Sequence, residues 1–323
     1  MQPDLISTTD RRLLPARPDL ADHRLRGQVE AARYVEGEPR RVIAGSAPLR
    51  RGPGRDAALD TEAQMGDPAT VYEDWEGFSF VQLGTDGYVG YLPSAALGAI
   101  DPAPTHRVVA LRTFAYPAPD MKQPILGHLG LGSTVAVAGR EGAYLRLAGG
   151  ISSDGILIRE AYLFADHCAP IDRTEPDFAG TAERLAGTPY LWGGRTSLGL
   201  DCSGLVQLCL AAAGLAAPRD ADQQEAALGS PLPHDLSALR RGDLVFWRGH
   251  VGMMLDARTL IHANGHHMAV VSEPLDVAVA RILEKSFGPV TSLRRIGRPR
   301  EDRVAQPSGG RDGRSGFTPS AAS

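Results

Sequence analysis

Two of the chain's three cysteines lie in LDCSGLVQLCLAAAG, Leu200 to Gly214. Cys202 stands between Asp201 and Ser203, after the loop GGRTSLGL and at the start of an apolar helical run; Cys209 lies inside that run among Leu205, Val206, Leu208 and Leu210. A thiol at a helix amino terminus meets unsatisfied N–H groups and the positive end of the helix dipole, which favour its thiolate, whereas apolar burial disfavours it. The sequence therefore predicts Cys202 as a nucleophile and Cys209 as core. A sulfur nucleophile needs a base. His250 opens the run HVGMML and His262 lies within the next, TLIHA. Their separation is even, so in a hairpin with an odd loop the two rings share a face. A three-residue loop around Ala257 puts His262 opposite Gly252, one diagonal step from His250. One imidazole then takes the thiol proton while the other fixes its tautomer.

The spacings of Cys168, Cys202 and Cys209 lack the paired CxxC of a zinc site, and three cysteines cannot all pair. On one helix, Cys202 and Cys209 stand roughly 10 Å apart, beyond the ~7 Å reach of a disulfide. His262 and His266 have a zinc-like helical spacing, but Gly265 and the strand context argue against a metal. No cofactor is called for. The net charge of −4 offers no nucleic-acid surface. No window approaches the ~18 apolar residues of a membrane span. The opening MQPDLISTTDRRLLPARPDLADHRL has acids and a basic pair where a secretory signal needs an apolar core. Free thiols and this opening predict a cytoplasmic protein without a membrane partner. Its oligomeric state is not fixed by the sequence.

At 323 residues the chain is long enough for two or three domains. Residues 1–39 read as a polar, extended arm with at most a short helix around Leu20 to Tyr34. Short apolar runs cut by Gly and Pro follow over 40–100 (RRVIAGSAPLR, ATVYEDWEGFSFVQL, GYVGYLP) and again over 101–170 (HRVVALRTFAYPAP, STVAVAG, AYLRLAGG, GILIREAYL), the mark of two small all-β units. GYVGYLPSAAL and DGILIREAYL match as closing strands, giving an internal duplication of roughly 65 residues. Residues 171–298 read as an α+β domain with helices followed by an antiparallel sheet, Asp177 capping a first helix that Gly187 stops. Residues 299–323 are too polar and Gly/Ser-rich to pack, and read as a disordered tail.

GYVGYL, Gly87 to Leu92, resembles the last strand of bacterial SH3-like domains of cell-wall enzymes, so the fold expected is two SH3-like barrels and then an α+β domain. PYLWGGRTSLGLDCSGLVQLCLAAAG, with RRGDLVFWRGHVGMML and LIHANG, resembles the NlpC-type family of papain-like cell-wall peptidases over about Asp177 to Gly297. The resemblance implies a cysteine peptidase with Cys202 as nucleophile, His250 as general base and acid, and His262 as orienting residue. It implies hydrolysis of the bond between γ-D-glutamate and a diamino acid in peptidoglycan stem peptides. The dipeptidyl-peptidase VI-like branch with amino-terminal SH3-like domains demands a free L-alanine, which suggests recycling of murein peptides. By that resemblance Asp201 and Ser203 bind the alanine ammonium, with Glu73, Asp74, Tyr88 and Tyr91 as candidates from the first barrel. Arg195 is a candidate partner for a substrate carboxylate, and Tyr190 and Trp192 for lining the cleft. An exported wall endopeptidase, a peptidoglycan-binding protein without turnover and an acyltransferase on the same fold stay open as alternatives.

Overall fold

The computed structural model describes residues 10–297, so the first nine residues of the arm and the expected disordered tail lie outside the described residues. The first barrel is one seven-stranded sheet running from Glu38–Val42 to Leu97–Ala99. Two-residue alternation in Ser46–Arg50 turns Ala47 and Leu49 inward, where they meet Val42, Val71, Val81, Leu83 and Leu92. Gly87, at φ +79°, makes the tight return between Phe78–Leu83 and Val89–Pro93.

The described part of the arm is extended apart from one short turn. Leu20–Asp22 pairs in parallel with Tyr34–Val35, and its helical content is one 3-10 turn, His23–Leu25. The reason is burial: Leu20 is sealed between Tyr72 and Phe80 of the barrel, and tertiary packing of this kind overrides weak helix propensity.

The second barrel holds a five-stranded and a three-stranded sheet with an added hairpin, Ile151–Ser153 against Ile156–Ile158. Both barrels close with strand, 3-10 turn and strand: Val89–Pro93, Ser94–Ala96 and Leu97–Ala99 in the first, Tyr162–Phe164, Ala165–His167 and Cys168–Pro170 in the second. The counterpart of YLPSAAL is therefore YLFADHC. GILI, matched to it from sequence, belongs to the added hairpin, which lengthens the repeat.

The carboxy-terminal domain is a six-stranded antiparallel sheet in the order Ser230–Pro231, Val290–Arg295, Asp243–Trp247, His250–Met254, Thr259–Asn264, Ala269–Pro274. Helices α1 (Phe178–Arg184) and α2 (Cys202–Ala212) share one core with Leu244, Phe246, Val251, Met253 and Ile261. Helix α3 (Ala221–Ala227) follows, and α4 (Leu275–Lys285) packs with Val245, Trp247, Met254 and Leu260, the alternate residues of the same strands. The sheet is thus covered on both faces.

The three domains share cores. Met65 of the first barrel lies in the core of the second, and its carbonyl accepts the Thr134 N–H at 2.8 Å. A Cβ on Gly66, whose φ is +92°, would stand 2.3 Å from the Thr134 carbonyl oxygen, so only glycine allows this approach. Leu131 of the second barrel is 2% exposed and lies in the core around α2. Replacing Leu131 by Ala should cost about 2–5 kcal/mol. Urea unfolding measures this; a loss below about 1 kcal/mol would show that the interface is loosely packed.

Candidate active site

Helix α2 begins at Cys202 because Asp201 caps it: its Oδ1 accepts the Gly204 N–H at 2.7 Å while its Oδ2 accepts the Gly193 N–H at 2.9 Å. The second oxygen thereby fastens the Trp192–Gly194 turn to the helix start. Arg219 then closes on the same carboxylate, with Nη1 to Oδ1 at 2.9 Å and Nη2 to Oδ2 at 2.6 Å. Arg219 is 1% exposed and also donates to Ser203 Oγ at 3.0 Å, to the Gly194 carbonyl at 3.3 Å and, through Nε, to Thr61 Oγ1 of the first barrel at 2.7 Å. Asp201 and Ser203 therefore flank Cys202 as expected, but their polar atoms are buried and engaged. Arg219, absent from the sequence expectations, is the group that engages them. Nothing in PRDADQ distinguishes a buried arginine from a solvated one.

The histidines meet in the register their spacing required. Met253 pairs with Ile261 across the Asp256–Arg258 loop, so His262 falls opposite Gly252. His250 Nε2 and His262 Nδ1 are 2.9 Å apart, and His262 Nε2 lies 2.7 Å from Glu273 Oε1. Glu273 stands opposite Leu260 and so shares the face of His262; Arg281 of α4 pairs with it. Although burial works against its charge, the hydrogen bond to His262 and the cations nearby hold Glu273 below its ordinary carboxylate value. A carboxylate only accepts, so His262 Nε2 carries a proton and its Nδ1, in the neutral ring, accepts from His250 Nε2–H. The lone pair of His250 is then left on Nδ1, where a thiol proton can be received. Glu273 was missed from sequence because its strand, AVVSEP, was not recognised; alternation from His262 across that hairpin is the signal that finds it.

Cys202 is 8% exposed, and burial followed by the charge of Asp201 pushes its thiol up to about 12. The amides of Val251 and Ser203 oppose this, which sets the sulfur beside the start of the His250 strand. Burial and His262 push His250 down to about 3. Burial thus works against both the thiolate and the imidazolium. It works against the helix dipole, which favours the thiolate. Cys209 is fully buried, and burial drives its thiol up as well.

The remaining candidates divide. Tyr88 is buried in the first barrel, and its hydroxyl donates to Asp220 Oδ2 at 3.2 Å, beside Arg219. Glu73 and Tyr91 are held by the arm: Arg17 donates to Glu73 Oε2 at 2.5 Å and to the Tyr91 hydroxyl at 2.9 Å, and its guanidinium lies 4.7 Å from the Phe80 ring centre. Asp74 accepts from Ser79 within its own hairpin. Arg195 also differs from expectation, since Asp67 pairs with it at 3.2 Å and it donates to the Glu62 carbonyl at 3.3 Å, both in the first barrel. It is a lock between domains. Glu62, unforeseen from sequence, accepts the Arg195 N–H at 3.1 Å and is raised by burial. Tyr190 is half-buried against the core and beside Cys202, whereas Trp192 is 72% exposed on the turn that Asp201 fastens.

The burial of the thiol makes a prediction. The alkylation rate of Cys202 by iodoacetamide should keep climbing above pH 8.5, about where a free cysteine thiol is half ionised. A plateau reached by pH 6 would mean a preformed thiolate–imidazolium pair.

Residues 187–281 match the model of the NlpC/P60 family, and residues 49–97 that of the bacterial dipeptidyl-peptidase Sh3 domain. The chain is 27% identical over 192 residues to the gamma-D-glutamyl-L-lysine dipeptidyl-peptidase of Bacillus subtilis, covering 55% of this chain and 60% of that protein. It is 38% identical over 85 residues to dipeptidyl-peptidase 6 of Lysinibacillus sphaericus, 26% of this chain and 30% of that one. The chain thus spans less than two thirds of the length of these curated relatives. An NlpC/P60 family protein from Bacillus cereus superposes with a TM-score of 0.67 over 81% of this chain and all of that one, at 18% identity, a likeness of fold. None of the described helices is long and apolar enough to cross a membrane. The chain therefore joins a bacterial dipeptidyl-peptidase SH3 domain to a domain of the NlpC/P60 family, whose helix start carries Cys202.

Proposed function

We propose that the protein is a cysteine peptidase that hydrolyses the bond between γ-D-glutamate and a diamino acid in peptidoglycan stem peptides bearing a free amino-terminal L-alanine. The observation that carries this is the buried chain His250–His262–Glu273, which leaves one imidazole lone pair for a thiol at a helix start. His250 takes the proton of Cys202 as the sulfur adds to the γ-glutamyl carbonyl. The C–N bond then breaks, its electron pair stays on nitrogen, and His250 returns the proton to the departing amine. Water, deprotonated by the same imidazole, resolves the thioester. The Cys202 backbone N–H, at the first turn of α2, is the proposed donor to the oxyanion.

The names of the relatives support the bond chosen. The first barrel supports the free-amine requirement: Thr61 and Tyr88 reach Arg219 and Asp220, so the barrel stands against the nucleophile's end of the domain. The barrel carboxylate Glu62 is the proposed partner of the ammonium, since Arg219 already occupies the polar atoms of Asp201 and Ser203. Use of such short peptides fits recycling within the cell.

The test is cleavage of L-Ala-γ-D-Glu-L-Lys and of its N-acetylated form by the purified protein. The free peptide should be cleaved and the acetylated one resisted; equal rates would remove the free-amine requirement. Cys202→Ala should abolish turnover and Cys209→Ala should keep most of it. Glu273→Gln, whose amide can donate to His262 and reverse both tautomers, should lower kcat at least about 100-fold; unchanged kcat would separate Glu273 from the relay.

A further inference from the structure

Helix α4 and the turn after it reach the histidine chain at two points. Arg281 secures Glu273; past the helix end, Ser286 and Gly288, the latter at φ +77°, bring Phe287 over His250. The Phe287 ring lies nearly parallel to the imidazole, at 5° with centres 5.1 Å apart. Trp247 is tilted by 43° with its centre 5.6 Å away, and His262 completes the surround. Trp247 is 1% exposed and His262 is fully buried, so neither offers surface to a ligand, whereas Phe287 is 41% exposed.

In amide cleavage the departing nitrogen must come within hydrogen-bond reach of the imidazole that protonates it. The residue that leaves therefore lies beside His250, and its side chain meets the accessible group bordering that ring. Among the described aromatic groups around His250, Phe287 alone has that surface. An exposed phenyl face takes methylenes, and its electron-rich face also attracts an ammonium.

Resting on the peptidase reading above, we propose that Phe287 is the wall of the leaving-group subsite. One part of its ring fixes the plane of His250, and the exposed part receives the methylene stem of the departing diamino acid. Phe287 is thus a specificity-determining residue, selecting a long side chain over a short one at the position released.

The experiment compares L-Ala-γ-D-Glu-L-Lys with L-Ala-γ-D-Glu-L-Ala as substrates of the full chain. Wild type should favour the lysine peptide in kcat/KM. Phe287→Ala should reduce that preference about tenfold, the scale of a few methylene contacts in an apolar pocket, and Phe287→Tyr should retain it. An equal fall on both peptides, or no preference in wild type, would overturn the subsite assignment while leaving the peptidase reading intact. Cleavage of neither peptide by wild type would overturn both.

Discussion

A guanidinium cut off from water must find its partners inside the protein, and Arg219 finds them at the residues on either side of Cys202. The carboxylate it meets is itself the helix cap, so one ion pair fixes the position of Cys202, the turn at Gly193 and Gly194, and the Thr61 edge of the first barrel. Neither charge can be removed alone without leaving the other buried and unpaired, a penalty of about 3–5 kcal/mol. The pair thus gives geometry more than net stability.

Around that fixed point the site disfavours charge on Cys202 and His250. Burial raises the thiol and lowers the imidazole, so proton transfer is favourable only once a carbonyl is present to take the sulfur. Glu273 holds a charge nearby without giving it to His250, because His262 stands between them. The carboxylate sets which nitrogen carries a proton. Against burial it is kept anionic by its hydrogen bond to His262 and by Arg281, on a helix packed against the opposite face of the sheet from α2.

The parts of this arrangement that follow from short-range pattern were legible in the sequence: the cap at Asp177, the start of α2 at Cys202, and the parity of His250 and His262 in one hairpin. Each depends on spacing alone. What escaped depends on distant partners. Arg195 reads as a free loop charge until Asp67 and Glu62 from the first barrel are brought beside it, and Glu73 and Tyr91 read as ligand groups until Arg17 is found on them. The docking of the arm escaped for the same reason, since Leu20 is ordered by Tyr72 and Phe80 rather than by its neighbours in the chain.

The sharing of Met65 and Leu131 between cores bears on how such a chain assembles at the ribosome. Synthesis delivers the barrels first. The second barrel cannot complete its core without a residue already made as part of the first, and the carboxy-terminal domain condenses onto a leucine supplied by the barrel before it. Cys202 therefore acquires its surroundings last, against walls that already stand, and an incomplete chain leaves those surroundings unfinished.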